Sequence, residues 1–432
     1  MSITSALFAG ATGVTAMSKS MQTIGNNIAN INTVGFKGSR AEFADLLSQA
    51  INTPGGKKQI GRGTRVQSVQ SLFHQGSFET TPVVTDVAIN GAGFFKLVTD
   101  EQEVFYSRAG QFRINKAGDL TNSLGMNVQG YIYDESGNPT QNVGNINLSS
   151  ATAPPNPTGD GVAEDSGIRM NINFDATSEI KAFDINDPKG TSNYSTAVTV
   201  YDSIGVPHEV TMYFNRTSIA NQGGATESDW EWHAVVDGSE LQGGTPGVLE
   251  QQANGTLTFD ANGKMTNSTT AASSFNFAGG AEQNQTIGFD FTGSSQVGLD
   301  PSVTNSITQD GYSSGFLQSI DIDRDGVITG VFSNGVARPL SRLALATFPA
   351  ETELFRMGDS LFVETPASGQ ANLGEANLGS NGSIAASTLE LSNVDLTRQF
   401  IGMITNQRSF QANTKIITAG DEMLETVINM KR

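Results

Sequence analysis

The sequence predicts a mainly β protein with α-helical termini, and three observations lead to that fold class. Both ends of the chain carry apolar residues at the seven-residue spacing of a coiled-coil helix. The chain between them alternates short β-type runs with turn residues. Glycine, which suits tight turns, is frequent at 48 of 432 residues. A chain of this length is expected to form roughly two to four domains.

The N-terminal segment has one narrow apolar stripe. Its residues form two interleaved series whose members lie seven positions apart: Leu7, Val14, Met21 and Ile28 in the first, and Met17, Ile24 and Ile31 in the second. Interleaved steps of three and four residues are typical of a helix that packs along a single seam. We therefore expect a helix over residues 1–36.

The C-terminal segment repeats this pattern. Its main series, again with a spacing of seven, consists of Met403, Phe410, Ile417 and Leu424. Phe400 and Ile428 lie on the adjoining series, whose other members are polar. Ser392 or Asn393 would suit as the N-cap of a second helix within residues 388–432. Such stripes most often pack on a globular core. Because these seams are narrow and lie at the two ends of the chain, we expect the two helices instead to pair with each other or with neighbours in an assembly.

The middle of the chain is divided by a Pro/Gly-rich stretch at residues 153–159, which indicates a domain junction. Runs rich in β-branched and aromatic residues on both sides predict strands. These strands are expected at residues 83–88, 93–98, 104–106, 126–133, 196–201, 208–214, 230–236, 255–259, 317–322, 327–332 and 340–348.

The chain is acidic, with 25 Lys and Arg against 43 Asp and Glu and a net charge of −18. Nucleic-acid binding needs a basic footprint, so this balance argues against it. The acidity is concentrated in residues 151–304, which hold 19 acidic and 5 basic residues, whereas residues 388–432 hold five of each sign. We expect the near-neutral ends to pack together and the acidic segment to face solvent.

Several other protein classes are also excluded. The absence of cysteine rules out disulfides, cysteine-ligated metals and thiol nucleophiles. No apolar run approaches the length of a transmembrane helix, so no membrane insertion is expected. Residues 1–25 lack the basic and apolar regions of a Sec-type signal peptide.

Motifs that suggest chemistry fail their context tests. Residues 321–326 resemble the start of a calcium-binding loop, but Phe332 stands where the bidentate Glu should be, so a β-turn between strands is the better interpretation. Two serine-hydrolase strings, at residues 311–315 and 358–361, have no downstream histidine to act as a base. We therefore predict no catalytic residue, no cofactor and no metal.

Trp230 and Trp232 alternate around Glu231, so both indoles are expected on one side of a strand. Burial in a core is the favoured interpretation, and an exposed pair that contacts glycan is the alternative. The pair and the Ser/Thr-rich run at residues 266–274 are the support for a carbohydrate-binding adhesin.

Residues 29–37 resemble the N-terminal signature of the bacterial flagellar rod and hook axial family. The matching positions are Asn30, Thr33, Gly35, Phe36 and Lys37. Residues 392–396 and 407–413 are similar to the C-terminal signature of the same family, with matches that include Asn393, Asp395, Gln407 and Arg408. Residues 89–95 and 106–110 look like the first half of its β domain.

The middle of the chain resembles the outer domain of the hook members of this family, through residues 200–205 and 207–214. Rod members are shorter and lack such an insert. The resemblance implies six segments: an N-terminal axial helix (1–36), an extended or hairpin-like connecting segment (37–72), a discontinuous inner β domain (73–150 and 305–387), an inserted outer β domain (151–304) and a C-terminal axial helix (388–432).

The resemblance also implies a function, as a subunit of the flagellar hook. Copies would assemble helically into a flexible tube that transmits torque from rod to filament, with both seams buried in the assembly. The implied partners are further copies of the chain, the distal rod, the hook cap, the hook–filament junction proteins and the flagellar type III export apparatus. The implied location is the hook, outside the cell after export. The alternatives are another rod or hook-associated axial subunit, or the adhesin.

Overall fold

The structure is a computed structural model that describes residues 3–47, 49–53, 56–134, 137–148, 152–162, 166–222, 225–298 and 300–430. A long helix lies near each end and strands dominate between them, so the predicted fold class is confirmed. The chain divides into two compact units. The first comprises Met1–Ala151, Ser319–Val331 and Ala337–Arg432, and the second comprises Thr152–Gln318 and Phe332–Val336. No helix among the described residues is long and apolar enough to span a membrane.

The elements follow one another along the chain in three parts. The first part consists of helix α1 (Ile3–Ala29) and strands β1 (Ser39–Asp45), β2 (Gln49–Thr53), β3 (Gly56–Ile60), β4 (Thr64–Ser71), β5 (Phe78–Thr80), β6 (Val87–Asn90), β7 (Phe94–Val98), β8 (Val104–Ser107), β9 (Arg113–Ile114), β10 (Leu120–Thr121), β11 (Asn127–Tyr133) and β12 (Pro139–Asn145). The middle part consists of β13 (Thr152–Ala153), β14 (Ile168–Asp175), the short helix α2 (Pro188–Thr191), β15 (Tyr194–Tyr201), β16 (Pro207–Gln222), β17 (Ala225–Asp237), β18 (Leu249–Phe259), β19 (Met265–Ser273), β20 (Phe289–Asp290), β21 (Ser295–Val297) and β22 (Val303–Gln309). The last part consists of β23 (Gly315–Ile322), β24 (Val327–Phe332), β25 (Ala337–Thr347), β26 (Phe355–Gly358), β27 (Leu361–Val363), β28 (Asn372–Glu375), β29 (Ser383–Ala386), β30 (Thr388–Glu390) and helix α3 (Leu396–Asn429).

The first unit is built on an antiparallel sheet centred on β7, which pairs with β8, β11 and β25. Its apolar side chains bury an aromatic cluster in which the Phe94 ring packs edge-on against Phe73, Phe348 and Phe362. In the chain segment that follows α1, β1 and β4 form an antiparallel ribbon. Strands β2 and β3, which lie between β1 and β4 in sequence, pair with each other. Both strand pairings lie within residues 37–72.

The second unit contains a five-stranded antiparallel sheet in the order β15–β16–β17–β18–β19 and a smaller sheet in which β14 pairs with β20, β21 and β22. Its core includes buried residues from strands of both sheets. The apolar residues that β14 contributes, Ile168, Met170, Ile172 and Phe174, alternate along the strand, as one buried face requires.

Helix α1 ends at Ala29, seven residues before the predicted end at residue 36. After Ala29 the Ile31 amide donates to the Ile28 carbonyl and the Thr33 amide to the Asn30 carbonyl, so bonds to the residue three positions back replace the helical bonds to the fourth. The Asn30 side chain supports this turn, since its Nδ2 donates to the Asn26 carbonyl and its Oδ1 accepts from Thr33 Oγ1. Gly35 then takes a positive φ of 68°, which is outside the helical region. The predicted helix was therefore too long.

At the other end, α3 begins at Leu396, later than the predicted segment start at 388. Residues 388–390 instead form β30, which pairs with β5. The side chain of Asp395, and not that of Ser392 or Asn393, caps α3, since its carboxylate accepts hydrogen bonds from the Thr397 and Arg398 amides at 2.9 and 3.1 Å.

Two other expectations differ from the structure. The predicted strand at residues 83–88 is wrong in its first half, because the Asp86 amide donates to the Val83 carbonyl and closes a turn before β6 begins. The second unit extends past the predicted boundary at residue 304 as far as Gln318. The reason is that β22 crosses this boundary and pairs with β14 along its whole length.

Candidate assembly interface

The two terminal helices pack against each other in antiparallel orientation. Residues early in α1 meet residues late in α3: Leu7 lies against Gly420, and Gly10 lies against Ile417. Near the other end of the pair, Asn27 Nδ2 donates to Gln399 Oε1 at 3.3 Å. Residues further along α1 thus contact residues progressively earlier in α3, and a single register holds over the whole contact.

Small residues allow the helices to approach closely. Gly10, Gly13, Ala16 and Ser20 of α1 are buried. A Cβ built on Gly13 would lie 2.7 Å from the Asn413 side-chain amide, and one on Gly10 would lie 3.0 Å from Ile417 Cγ1. A larger side chain at either position must therefore displace the partner helix.

Polar atoms are also paired across this contact. Asn406 Nδ2 donates to Ser20 Oγ at 2.7 Å. The positions of α3 that contact α1 include a series seven apart, Gln399, Asn406, Asn413 and Gly420. The pair is therefore held by small and polar residues together with the apolar stripe.

The structure places the predicted seam residues in two groups. Half-buried positions are held by Leu7, Val14, Met21, Ile24 and Ile28 of α1 and by Met403, Phe410, Ile417 and Leu424 of α3. Phe400 is 43% exposed and Ile428 is 68% exposed, so the adjoining series predicted for α3 lies off the contact within the chain. Phe400 lies three residues before Met403 and Gln399 lies four, so helical spacing alone is compatible with either residue facing α1. The close approach at the α1 glycines favours the series that begins at Gln399, because its side chains are smaller and polar.

Other large apolar side chains on the helices face solvent. They are Phe8 of α1 and Leu396, Ile401, Ile404, Ile416, Met423 and Val427 of α3. Exposed apolar side chains in this number are unusual on a monomer and mark surface that further contacts can cover.

The N-terminal signature forms a buried junction between the chain ends and the sheet of the first unit. Lys37 Nζ lies 2.7 Å from Glu390 Oε1, and both side chains are fully buried. Lys37 also donates to the His74 carbonyl, and Arg108 Nη1 lies 3.7 Å from the second Glu390 oxygen. Burial lowers the pKa of Lys37, and the Glu390 carboxylate opposes this shift. Burial also lowers the pKa of Arg108.

Gly35 and Phe36 fit the same junction by shape. A Cβ on Gly35 would lie 2.5 Å from the Ala109 amide nitrogen, so the position combines a positive φ with a backbone contact that excludes side chains. The Arg356 guanidinium lies 5.3 Å from the centre of the Phe36 ring and donates to the Lys37 carbonyl.

Asparagine side chains join the remaining chain segments. Asn393 Oδ1 accepts from the Gly38 amide at 2.8 Å, and its Nδ2 donates to the Leu72 carbonyl at 2.7 Å. Asn27 bonds both to the Ser39 backbone and to Gln399, so it connects α1, the ribbon and α3. Gln407 and Arg408, the other signature residues of α3, are exposed and lie outside this junction.

Sequence reasoning missed Glu390, Arg108, Asn27 and Arg356. Glu390 stands between Leu389 and Leu391, but Ser and Thr residues flank this short stretch, so its sequence neighbours do not mark it as buried. Its partner Lys37, 353 positions away in sequence, could not be inferred from spacing.

The tryptophan pair lies in the core of the second unit. Trp230 and Trp232 are 0% exposed, and their rings pack against Phe174 and Phe291. The core interpretation is therefore confirmed and the glycan-contact interpretation is wrong. Residues 323–326 form a turn between β23 and β24, in which Asp323 Oδ1 accepts from the Val327 amide.

Four family models match segments of the chain. They are described as "Flagella basal body rod protein" (residues 7–37), "Flagellar hook protein FlgE/F/G D1 domain" (residues 88–177), "Flagellar basal body protein FlaE D2 domain" (residues 171–312) and "Flagellar basal body rod FlgEFG protein C-terminal" (residues 385–430).

Full-length relatives were also found. The flagellar hook protein FlgE of Treponema pallidum is 34% identical over 473 aligned residues, which cover 99% of each chain. The flagellar hook protein FlgE of Salmonella typhimurium is 32% identical over 97% of this chain and 98% of its own length. A crystal structure of Helicobacter pylori flagellar hook protein FlgE2 has a TM-score of 0.48 and 15% identity, covering 72% of this chain and all of its own.

Proposed function

The chain belongs to the flagellar hook protein family, and we propose that it polymerises into the hook through its terminal helix pair. As a structural subunit of the flagellum, it must make a heterologous contact that repeats helically without closing. The observation that carries the proposal is the α1–α3 pair itself. Its small-residue contact fixes one register within the chain, and its exposed apolar residues remain for contacts between copies.

The proposal assigns a role to each predicted seam residue. Those that are half-buried in the single chain become fully buried when copies pack side by side, and Phe400 contacts a neighbouring copy. Gln407 and Arg408, exposed on the same helix, contribute polar contacts to that interface. The buried junction around Lys37 holds the helix pair on the sheet of its own chain.

The proposal also gives the uneven distribution of charge along the chain a role in the polymer. The second unit contains most of the acidic excess and faces solvent in the polymer, while the near-neutral helices pack around the axis. This arrangement avoids stacking many like charges at short distance.

Specific partners follow from this position in the flagellum. We propose that the distal rod contacts the first copies, that the hook cap and the hook–filament junction proteins contact the last copies, and that the chain leaves the cell through the flagellar type III export apparatus. The same-class alternative, a rod subunit, predicts a different mutant phenotype.

Deletion of the gene tests the proposal in cells. The deletion strain should make rods without hooks, and the full chain should restore hooks and motility. A chain without residues 1–30 should fail to restore them although its β units fold. Basal bodies that stop before the rod is complete would instead assign the chain to the rod.

A further inference from the structure

Asn27, in the last turn of α1, is a buried amide that pairs with the backbone of a residue twelve positions further along the chain. It is 1% exposed. Its Nδ2 donates to the Ser39 carbonyl at 2.7 Å, and its Oδ1 accepts from the Ser39 amide at 2.9 Å. A carboxamide offers one acceptor oxygen and two N–H donors, so the second N–H remains free to reach Gln399 Oε1 of α3, at 3.3 Å. One side chain therefore connects both terminal helices to the start of β1.

The segment that Asn27 binds is itself held by the folded part of the first unit. Arg356, on β26, donates from Nη1 to Ser39 Oγ at 2.8 Å and from Nη2 to the Lys37 carbonyl. The Lys37 ammonium is in turn paired with Glu390 at the end of β30. Asn27 thus attaches the end of α1 to a segment that is fixed on the sheet side at two of its residues.

This pairing fixes a direction as well as a distance. Two hydrogen bonds side by side define how the two groups face each other, which a single bond does not. A second contact lies further along α1, where the Thr64 amide donates to Thr12 Oγ1 at 3.4 Å. Asn27 and Thr12 are about 22 Å apart along the helix, so the two contacts together set the direction of α1 against β1 and β4.

We propose that Asn27 is the positioning residue that sets the direction of the α1–α3 pair against the sheet of the first unit, and through that direction the rotation between successive copies in the polymer. The inference rests on the proposed function, in which the helices pack around the axis and the β units pack outside them. Both sets of contacts repeat with one rotation per copy. The angle between the helices and the sheet within each copy is therefore part of what fixes this rotation.

The substitution Asn27→Gln tests a positioning role because it keeps the carboxamide and moves it. The added methylene displaces the paired groups by about 1.5 Å, the length of one C–C bond. Over the roughly 22 Å between Asn27 and Thr12, this displacement tilts α1 by about 4°. We expect the variant to polymerise into tubes with a changed rotation per copy. A residue that only stabilised the fold would change the melting temperature and leave the rotation as it is.

Helical reconstruction from electron cryo-micrographs of the tubes measures both the rotation per copy and the tilt of α1 against the sheet. The matched control is Asn26→Gln, which makes the same change at an exposed neighbouring position of α1. Tubes of the control should keep the rotation and the tilt of the parent chain. Circular dichroism melting curves verify that both variants are folded before polymerisation.

The outcomes separate this inference from the proposed function. Asn27→Gln tubes with the rotation and tilt of the parent chain would overturn the inference and leave the proposed function standing, and so would an equal change in the Asn26→Gln tubes. An Asn27→Gln chain that does not fold would assign Asn27 to stability alone and would also overturn the inference. If the parent chain forms no tubes, the proposed function fails and the inference fails with it.

Discussion

Lys37 and Glu390 show what a single pair of residues contributes to this fold. Both side chains are fully buried, and Glu390 is the carboxylate nearest to two buried cations, Lys37 and Arg108. The pair joins the end of the N-terminal signature to the strand that leads into α3. A buried charge pair adds little net stability over an apolar pair, but removal of one partner leaves the other unpaired at a high cost.

The two single substitutions should therefore differ. Glu390→Gln leaves Lys37 and Arg108 buried without an anion and should lower the free energy of unfolding of the first unit by about 3–5 kcal/mol. Lys37→Met leaves Glu390 beside Arg108 and should lower it by clearly less. Urea denaturation followed by circular dichroism measures both, and equal losses for the two variants would argue against the pair as described.

His233 gives the second unit a pH dependence. Its ring stacks on Phe183 with centroids 3.9 Å apart, and its Nδ1 lies 2.9 Å from Gln251 Oε1. Burial lowers the pKa of His233 below the ordinary 6.5, although the Glu231 carboxylate 3.8 Å away opposes the shift. The unfolded chain thus binds the proton first, and the second unit loses stability as the pH falls below about 6.5.

His233→Gln should remove this part of the pH dependence. We expect the melting temperature of the second unit to fall less between pH 7.5 and pH 5.5 in the variant than in the parent chain. Differential scanning calorimetry at the two pH values measures the difference. An equal or larger fall in the variant would mean that His233 binds its proton as readily in the folded state as in the unfolded one.

At the scale of elements, the antiparallel register of α1 and α3 can be tested because the chain has no cysteine of its own. A Cβ on residue 13 lies 2.7 Å from Asn413 Cγ, so the two Cβ atoms fall within disulfide range, at about 4 Å. Gly13→Cys/Asn413→Cys should therefore form an intramolecular disulfide on mild oxidation.

The matched control moves one cysteine by seven residues. In Gly13→Cys/Asn406→Cys the second cysteine lies about 10 Å further along the helix and should stay reduced. Non-reducing electrophoresis and intact mass measure both. A disulfide in the control and none in the test variant would show a different register.

The sequence predicted these elements unevenly, for physical reasons. Heptad spacing located both helices, because periodicity is a local property, and it identified the half-buried residues of the stripe. Heptad spacing did not identify the small and polar series through Asn406 and Asn413. These residues face α1 because they fit against its small residues, and that match cannot be seen from the spacing within α3 alone. Nor could spacing predict that Gly35 combines a positive φ with an approach to Ala109 that leaves no room for a side chain.

At the scale of the whole molecule, charge and exposed apolar surface are distributed as an assembling subunit requires. The helices are close to neutral and carry exposed apolar side chains such as Ile401 and Ile404, while residues 151–304 contain most of the acidic excess. On a monomer, exposed apolar residues on the outer face of a helix pair bury no surface, and they lower its solubility in water. They become favourable once copies pack side by side.

The central claim is that the terminal helices drive helical self-assembly. Negative-stain electron microscopy of purified protein under polymerising conditions tests it directly, with the full chain compared with a chain that lacks residues 1–30. We predict tubes from the full chain and none from the truncated chain, whose second unit still melts cooperatively. Tubes of normal diameter from the truncated chain would contradict the claim.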